Sequence, residues 1–350
     1  MKNISDIDKN FVVSNLVKRD GVKFWNVLEK PFCLYGVFYE NGMFRRMPEK
    51  IAETVSEGVF RLHTNTAGGR VRFRTNSRYI AISAIMNSAH KFSHCAFTAT
   101  IGFDMYVDGI YTKTFVPPVD ITVGYDSDFE FPEKSMRQIT INFPLYSNVE
   151  HLYVGLDEDC VLEEPFPYMN EEPIVYYGSS ITQGGCASRP GMSYEAIISR
   201  RFNCDYINLG FSGNAKAEDE MIDYVKNLKM SLFVYDYDYN TPNAEHLLAT
   251  HEKMFVAIRK AHLDIPIIIM SRPKAILSDD ELYRRSIIET TYKNAIASGD
   301  NHVYFLDGPT LMQLCGVEGS VDNCHPTDFG FASMAMTLGN FIEENNLLKR

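Results

Sequence analysis

The chain has 350 residues, more than one domain usually holds, and its 45% hydrophobic and 23% charged residues exclude disordered and collagen-like classes. A formal net charge of -11, with lysine and arginine spread along the chain, leaves no basic stripe for phosphate backbones, so no nucleic acid partner is expected. No stretch reaches the roughly 18 apolar residues of a membrane span, and "MKNISDIDKNFVVSN" lacks the apolar core of a secretory signal, so a cytoplasmic protein with no membrane association is expected.

From about residue 10 to 170 the pattern is short and strand-like. "GRVRFRT" (69–75) alternates strictly, "YIAISAIM" (79–86) is a buried run, and "AFTATIGFDMYVDGIYTKTFV" (96–116) reads as two strands around Asp108 and Gly109. "RQITINFPL" and "HLYVGLD" continue the theme with almost no helical period, which predicts a β-sandwich or jelly roll.

The acidic, proline-bearing stretch at 163–173 marks a change, and the division expected is 1–168 for the β domain and 169–350 for a second domain. Beyond it, "PIVYYG" (173), "DYINLG" (205), "SLFVYDY" (231), "IPIIIMS" (265) and "HVYFLD" (302) alternate with amphipathic helical stretches. That predicts an α/β domain, a parallel sheet covered by helices on both faces, with ligands beyond the carboxyl ends of the strands. Seven cysteines are scattered without a CxxC pair, so they read as free, mostly buried thiols with no metal pattern.

The ends of these strands carry chemistry. Ser179 and Ser180 in "YYGSSITQGG" follow the first strand, where one serine could simply cap a helix. A serine nucleophile needs a base, an orienter and oxyanion donors. Asp322 and His325 in "VDNCHPTDFGF", separated by two residues, offer an orienter and a base in one loop. Gly213 in "NLGFSGNAKAE" can present a backbone N–H, and Asn240 in "VYDYDYNTPN" a side-chain amide. "DYDYN" imitates a calcium loop, but Thr241 and Leu247 stand where glycine and glutamate are required. An α/β-hydrolase elbow is excluded because Thr182 replaces the glycine two residues past the serine.

Together these residues resemble the four blocks of the SGNH (GDSL-type) hydrolases: Gly178-Ser179-Ser180-Ile181-Thr182, Gly213, Asn240, and Asp322-Asn323-Cys324-His325-Pro326. Two departures are Ser179, where the family usually has aspartate, and Asp238-Tyr239-Asn240-Thr241, where it has Gly-x-Asn-Asp. Gly102-Phe103-Asp104-Met105-Tyr106 resembles the Gly-x-Asp-Leu-Tyr signature of a branch with an N-terminal β domain. The resemblance implies a flavodoxin-like αβα domain and a serine esterase.

It also implies Ser180 as nucleophile, His325 as base, Asp322 as its orienter, and an oxyanion hole from Ser180, Gly213 and Asn240. Two-domain carbohydrate esterases, a jelly roll followed by an SGNH domain, remove acetyl groups from plant polysaccharide fragments, so O-acetyl esters of oligosaccharides are the expected substrates. No metal or cofactor is required. Tyr176, Tyr177, Tyr235, Tyr237 and Tyr239 could stack on sugar rings or pack in the core, and Arg272 could reach the cleft or form a salt bridge. Other short acyl or lipid esters, acyl transfer, and a catalytically silent carbohydrate binder are the competing readings. The β domain could bind glycan, wall the cleft or mediate self-association into a homo-oligomer.

Overall fold

The computed structural model describes residues 19–87 and 89–348, apart from the side chain of Glu171. The strand-like reading from residue 10 therefore falls partly outside the described residues, and the first described strand is Val22–Asn26.

Two antiparallel sheets enclose the N-terminal core. One runs in the order Val22–Asn26, His151–Asp157, Tyr79–Ile85, Gly124–Glu130. The other runs Leu162–Glu163, Arg70–Thr75, Arg137–Asn142, Phe103–Val107, Ile110–Phe115, and Cys33–Tyr35 also pairs with Arg70–Thr75. Alternation in "GRVRFRT" acts as expected: Val71 and Phe73 enter the core with Ile80, Ile82, Met105 and Val154, leaving Arg70, Arg72 and Arg74 on the other face. Asp108 and Gly109 turn the hairpin with φ of 51° and 82°, the left-handed pair of a type I′ turn.

The sequence reading fails at three short helices in this region. Phe97–Thr100 is a helical turn instead of strand, and Glu49–Val55 and Glu57–Leu62 form two helices hinged at Ser56, whose extended backbone and hydroxyl cap the second. None is long enough for a 3.6-residue period to show.

The C-terminal half is a five-stranded parallel sheet in the order Cys204–Gly210, Asn170–Gly178, Leu232–Asp236, Ile267–Met270, Val303–Leu306. All five expected strands are present. Helices Tyr194–Phe202 and Asp328–Glu344 cover one face. Asp219–Val225, Ala244–Ala261 and Asp279–Ala297 cover the other, joined there by Ala52, Val55 and Val59 of the N-terminal helices. Because the second strand pairs on one side of the first and the third on the other, a crevice opens beyond Gly178, between Gly210 and Asp236.

The two halves share buried polar contacts. Arg46, 2% exposed, donates to the carbonyl oxygens of Asn208 at 3.1 Å, Gly210 at 2.7 Å and Leu62 at 2.8 Å, and burial lowers its pKa to about 9. Arg70 pairs with Asp205 and stacks on Tyr206. Asp104, within the Gly-Phe-Asp-Met-Tyr stretch, accepts from Arg189 at 3.0 Å and from the Gly191 N–H at 2.8 Å, and the Tyr106 hydroxyl donates to the Gly191 carbonyl. That motif thus fastens the β region to the chain just past the serine turn.

Candidate active site

Gly178 ends its strand where any side chain would collide: a Cβ would lie 2.1 Å from Thr182 Oγ1 and 2.6 Å from the Asp236 carbonyl oxygen. The chain then turns into a one-turn helix, Ser180–Gln183, stopped by Gly184 at φ 96°. The two adjacent serines divide the work. Ser179, fully buried and extended, caps the helix by accepting from the Ile181 N–H at 3.1 Å, a bond that an aspartate carboxylate could equally accept. Ser180 begins the helix, and its Oγ lies 2.9 Å from His325 Nε2.

His325 is held from behind by Asp322. One carboxylate oxygen accepts from the imidazole Nδ1 at 2.8 Å, and the other from the backbone N–H groups of His325 at 2.7 Å and Cys324 at 3.1 Å. Asn323, at φ 63°, supplies the left-handed residue that lets the loop close on itself. Partial burial pushes the Asp322 carboxyl up, but the bonds from the His325 backbone and ring outweigh it and hold the group below the usual carboxylate range. It therefore stays ionised beside the ring.

Gly213 and Asn240 reach the same strand ends through a shared frame. Gln183, on the Ser180 helix, accepts from the Ser212 N–H at 3.0 Å, while Asn240 Oδ1 accepts from the Ala215 N–H at 3.2 Å, so the Gly213 turn is gripped on both sides. Gly213 itself has φ 71°, a Cβ there would meet nothing within 4 Å, and its N–H has no acceptor among the described residues. The oxygen-bound orientation of Asn240 leaves its NH2 group without a protein acceptor among the described residues. The Ser180 N–H, at the first position of its helix, has no intrahelical acceptor.

Arg272 sits differently from a free cleft cation. Its guanidinium bonds Asp238 at 2.9 and 3.2 Å and Glu281 at 2.7 Å, and stacks 4.2 Å from the centre of the Tyr239 ring. Arg284 also bonds Asp238, at 3.1 Å, and Lys274 bonds Glu281 at 2.8 Å. Burial would raise the Glu281 pKa, but Lys274, the Ser278 N–H and Arg272 bring it down to about 2. These ion pairs clamp the turn Asp238–Asn240, so Asp238 serves as a counter-ion there.

Of the two readings open for the tyrosines, core packing holds for four: Tyr176, Tyr177, Tyr235 and Tyr237 are at most 1% exposed and belong to the core, which leaves Tyr239 half-buried at the site. Asp236 is also buried, with no hydrogen-bond partner for either carboxylate oxygen among the described residues. Desolvation and the nearby Asp238 charge raise its pKa well above the ordinary value.

Several site residues had no signal in the sequence reading. Gln183 donates to Asn65 and to the Leu145 carbonyl, both at 3.1 Å, and the Tyr146 hydroxyl donates to the Ser180 carbonyl at 3.2 Å, so the N-terminal half braces the serine turn. The segment 89–96 lines the cleft beside it. There the His94 ring lies 5.5 Å from the His325 ring, Phe92 packs on Tyr146, and Cys95 approaches Cys186. Two histidines, a phenylalanine and a cysteine within "AHKFSHCA" were the only hint. All seven cysteines are free, but only Cys186, Cys204 and Cys315 are buried; the others are half-buried.

A parallel sheet with a hydroxyl just past its first strand, hydrogen-bonded in series to an imidazole and a carboxylate from the loop before the last helix, defines an SGNH-type hydrolase architecture. The sequence profile of the GDSL-like lipase/acylhydrolase family matches residues 171–343, and the profile for the N-terminus of SGNH-hydrolase-type esterases matches residues 22–162. The chain belongs to the GDSL-like lipase/acylhydrolase family, a family of carboxylic ester hydrolases.

Among solved structures, it is similar to a protein of Bacteroides ovatus ATCC 8483 assigned as a GDSL-like lipase, at 26% identity and TM-score 0.84, covering 94% of this chain and 99% of that one. It is similar in fold to the salicylyl-acyltransferase SsfX3 of a tetracycline biosynthetic pathway, at 18% identity and TM-score 0.77, covering 95% and 99%. A family two carbohydrate esterase of Clostridium thermocellum, solved with cellohexaose, shares 14% identity at TM-score 0.63, covering 91% and 100%. Comparison with curated proteins gives no significant match.

Proposed function

We propose that the protein hydrolyses short-chain acyl esters of carbohydrates, O-acetyl esters first among them, through an acyl-enzyme on Ser180. The observation that carries this reading is the bond series Ser180 Oγ, His325 Nε2, His325 Nδ1, Asp322 Oδ2, at 2.9 and 2.8 Å. In it, His325 takes the hydroxyl proton as Ser180 attacks the ester carbonyl, and Asp322 stabilises the resulting imidazolium. The N–H groups of Ser180 and Gly213 and the Asn240 amide receive the oxyanion. The imidazolium then protonates the departing alkoxide, and water, activated by the same imidazole, releases the acid.

Fold similarity to a carbohydrate esterase solved with cellohexaose supports the sugar assignment. Acyl transfer to another hydroxyl is the second reading, favoured by the likeness to SsfX3, and uses the same residues up to the acyl-enzyme.

A fluorophosphonate probe is expected to label the wild type and not Ser180→Ala, and the variant should lose about 10^4-fold or more in kcat. Acetate release from acetylated oligosaccharides should outpace hydrolysis of octanoyl esters. The reverse order would overturn the sugar assignment, and an unlabelled wild type would leave a binding protein.

A further inference from the structure

The wall of the cleft contains a ligand set that the spacing of the cysteines concealed. His94 and Cys95 come from the N-terminal half, and Cys186 from the turn that follows Ser180, ninety-one positions away from Cys95. One ligand atom from each residue lies within 4.8 Å of the other two, and the Cys95 and Cys186 sulfurs are 3.6 Å apart. A disulfide would require about 2.05 Å. Two thiolates bound about 2.3 Å from one tetrahedral zinc ion stand roughly 3.8 Å apart, so the thiols, which share a hydrogen bond, already stand at the spacing of a coordination edge.

We propose that His94, Cys95 and Cys186 form a binding site for a thiophilic divalent cation of the zinc class. Two thiolates and a neutral imidazole suit such an ion in donor softness, and they balance its two positive charges, which matters for the buried Cys186. Binding releases the two thiol protons. Three protein ligands leave the fourth position for solvent.

The site adjoins the reacting groups, because the His94 ring is 5.5 Å from that of His325. A cation held on His94 opposes the formation of a second positive charge on His325. On the reading of His325 as the base, the occupied site lowers kcat and leaves KM little changed. His94 also belongs to a second donor group, with Asp322 and His325, which has no sulfur.

The presence of thiolate ligands is what the experiment must decide. With the full chain kept reduced by a phosphine, Co2+ is added as a spectroscopic stand-in for Zn2+. One equivalent should give a thiolate-to-cobalt charge-transfer band that added Zn2+ displaces, and both Cys95→Ser and Cys186→Ser should lose the band while remaining folded by circular dichroism. In parallel, Zn2+ should inhibit the wild-type esterase at least tenfold, reversibly with a chelator, and should inhibit either serine variant far less.

Metal binding without the charge-transfer band, with inhibition retained in Cys95→Ser, would place the ion on His94, Asp322 and His325 and overturn the proposal. No saturable cobalt binding would overturn it as well. The band is read without substrate, so it stands or fails separately from the esterase assignment.

Discussion

The two sides of the cleft are built by different forces. On the side of the first two strands, Ser180 and Gly213 are placed by backbone: a one-turn helix, a left-handed glycine, and Gln183 spanning them. On the side of the third and fourth strands, Asn240 is placed by charge, because the turn that carries it is clamped through Asp238 by Arg272 and Arg284, with Glu281 and Lys274 behind. Backbone placement depends on conformations that few substitutions at neighbouring side chains disturb. Charge placement depends on a closed set of partners, and deleting one leaves the others buried and uncompensated.

That difference can be broken most sharply at Asp238, whose side chain is only 2% exposed. Asp238→Asn leaves two arginines facing each other and should cost about 3–5 kcal/mol of stability in urea unfolding. It should also lower kcat while fluorophosphonate labelling of Ser180 persists. A stability loss under about 1 kcal/mol with unchanged kcat would mean that the ion pairs do not hold this turn.

Asn240→Ala removes the donor without touching the clamp. Because it also frees the Ala215 N–H, it should cost about 1 kcal/mol in urea unfolding, while reducing kcat by about 10^2- to 10^3-fold, or about 3–4 kcal/mol of transition-state stabilisation. Activity within about threefold of wild type would remove Asn240 from the oxyanion site.

Acid sharpens the comparison further. The Glu281 carboxyl has its pKa depressed from 4.5 to about 2 in the folded chain, so its contribution is complete above about pH 4.5 and is lost as pH falls toward 2. At neutral pH that contribution is at most about 3 kcal/mol. Glu281→Gln should flatten this part of the stability profile below pH 4.5, and a variant whose midpoint falls with acid as steeply as wild type would assign the acid sensitivity elsewhere.

The sequence made the architecture of the C-terminal half legible because its strands are continuous apolar runs and its helices are long. Glu49–Val55, Glu57–Leu62 and Phe97–Thr100 escaped because seven, six and four residues cannot display a helical period. That Ser180, His325 and Asp322 meet, with the Gly213 turn and Asn240 bonded to one another nearby, was foreseeable because each lies just past a strand or in a loop beyond the sheet. Arg272 was ambiguous for a physical reason: its partners Asp238 and Glu281 lie on different elements, and only folding closes the ion pairs. The tyrosines stayed open between sugar stacking and core packing because a residue next to a strand end in sequence can point either into the cleft or into the layer between sheet and helix, and Tyr176, Tyr177, Tyr235 and Tyr237 take the second course. Gln183 and the 89–96 wall were invisible, since both act across the junction of the halves.

Arg46 gives that junction a further meaning. Its guanidinium fills carbonyl acceptors at the end of the second parallel strand, immediately before the Gly213 turn, so the front half of the chain supplies part of the platform on which the rear half arranges its reactive loop. Exchanging front halves among relatives would therefore transplant more than an accessory: each graft would have to import a cation at this spot, or the recipient would be left with a floor missing one of its supports.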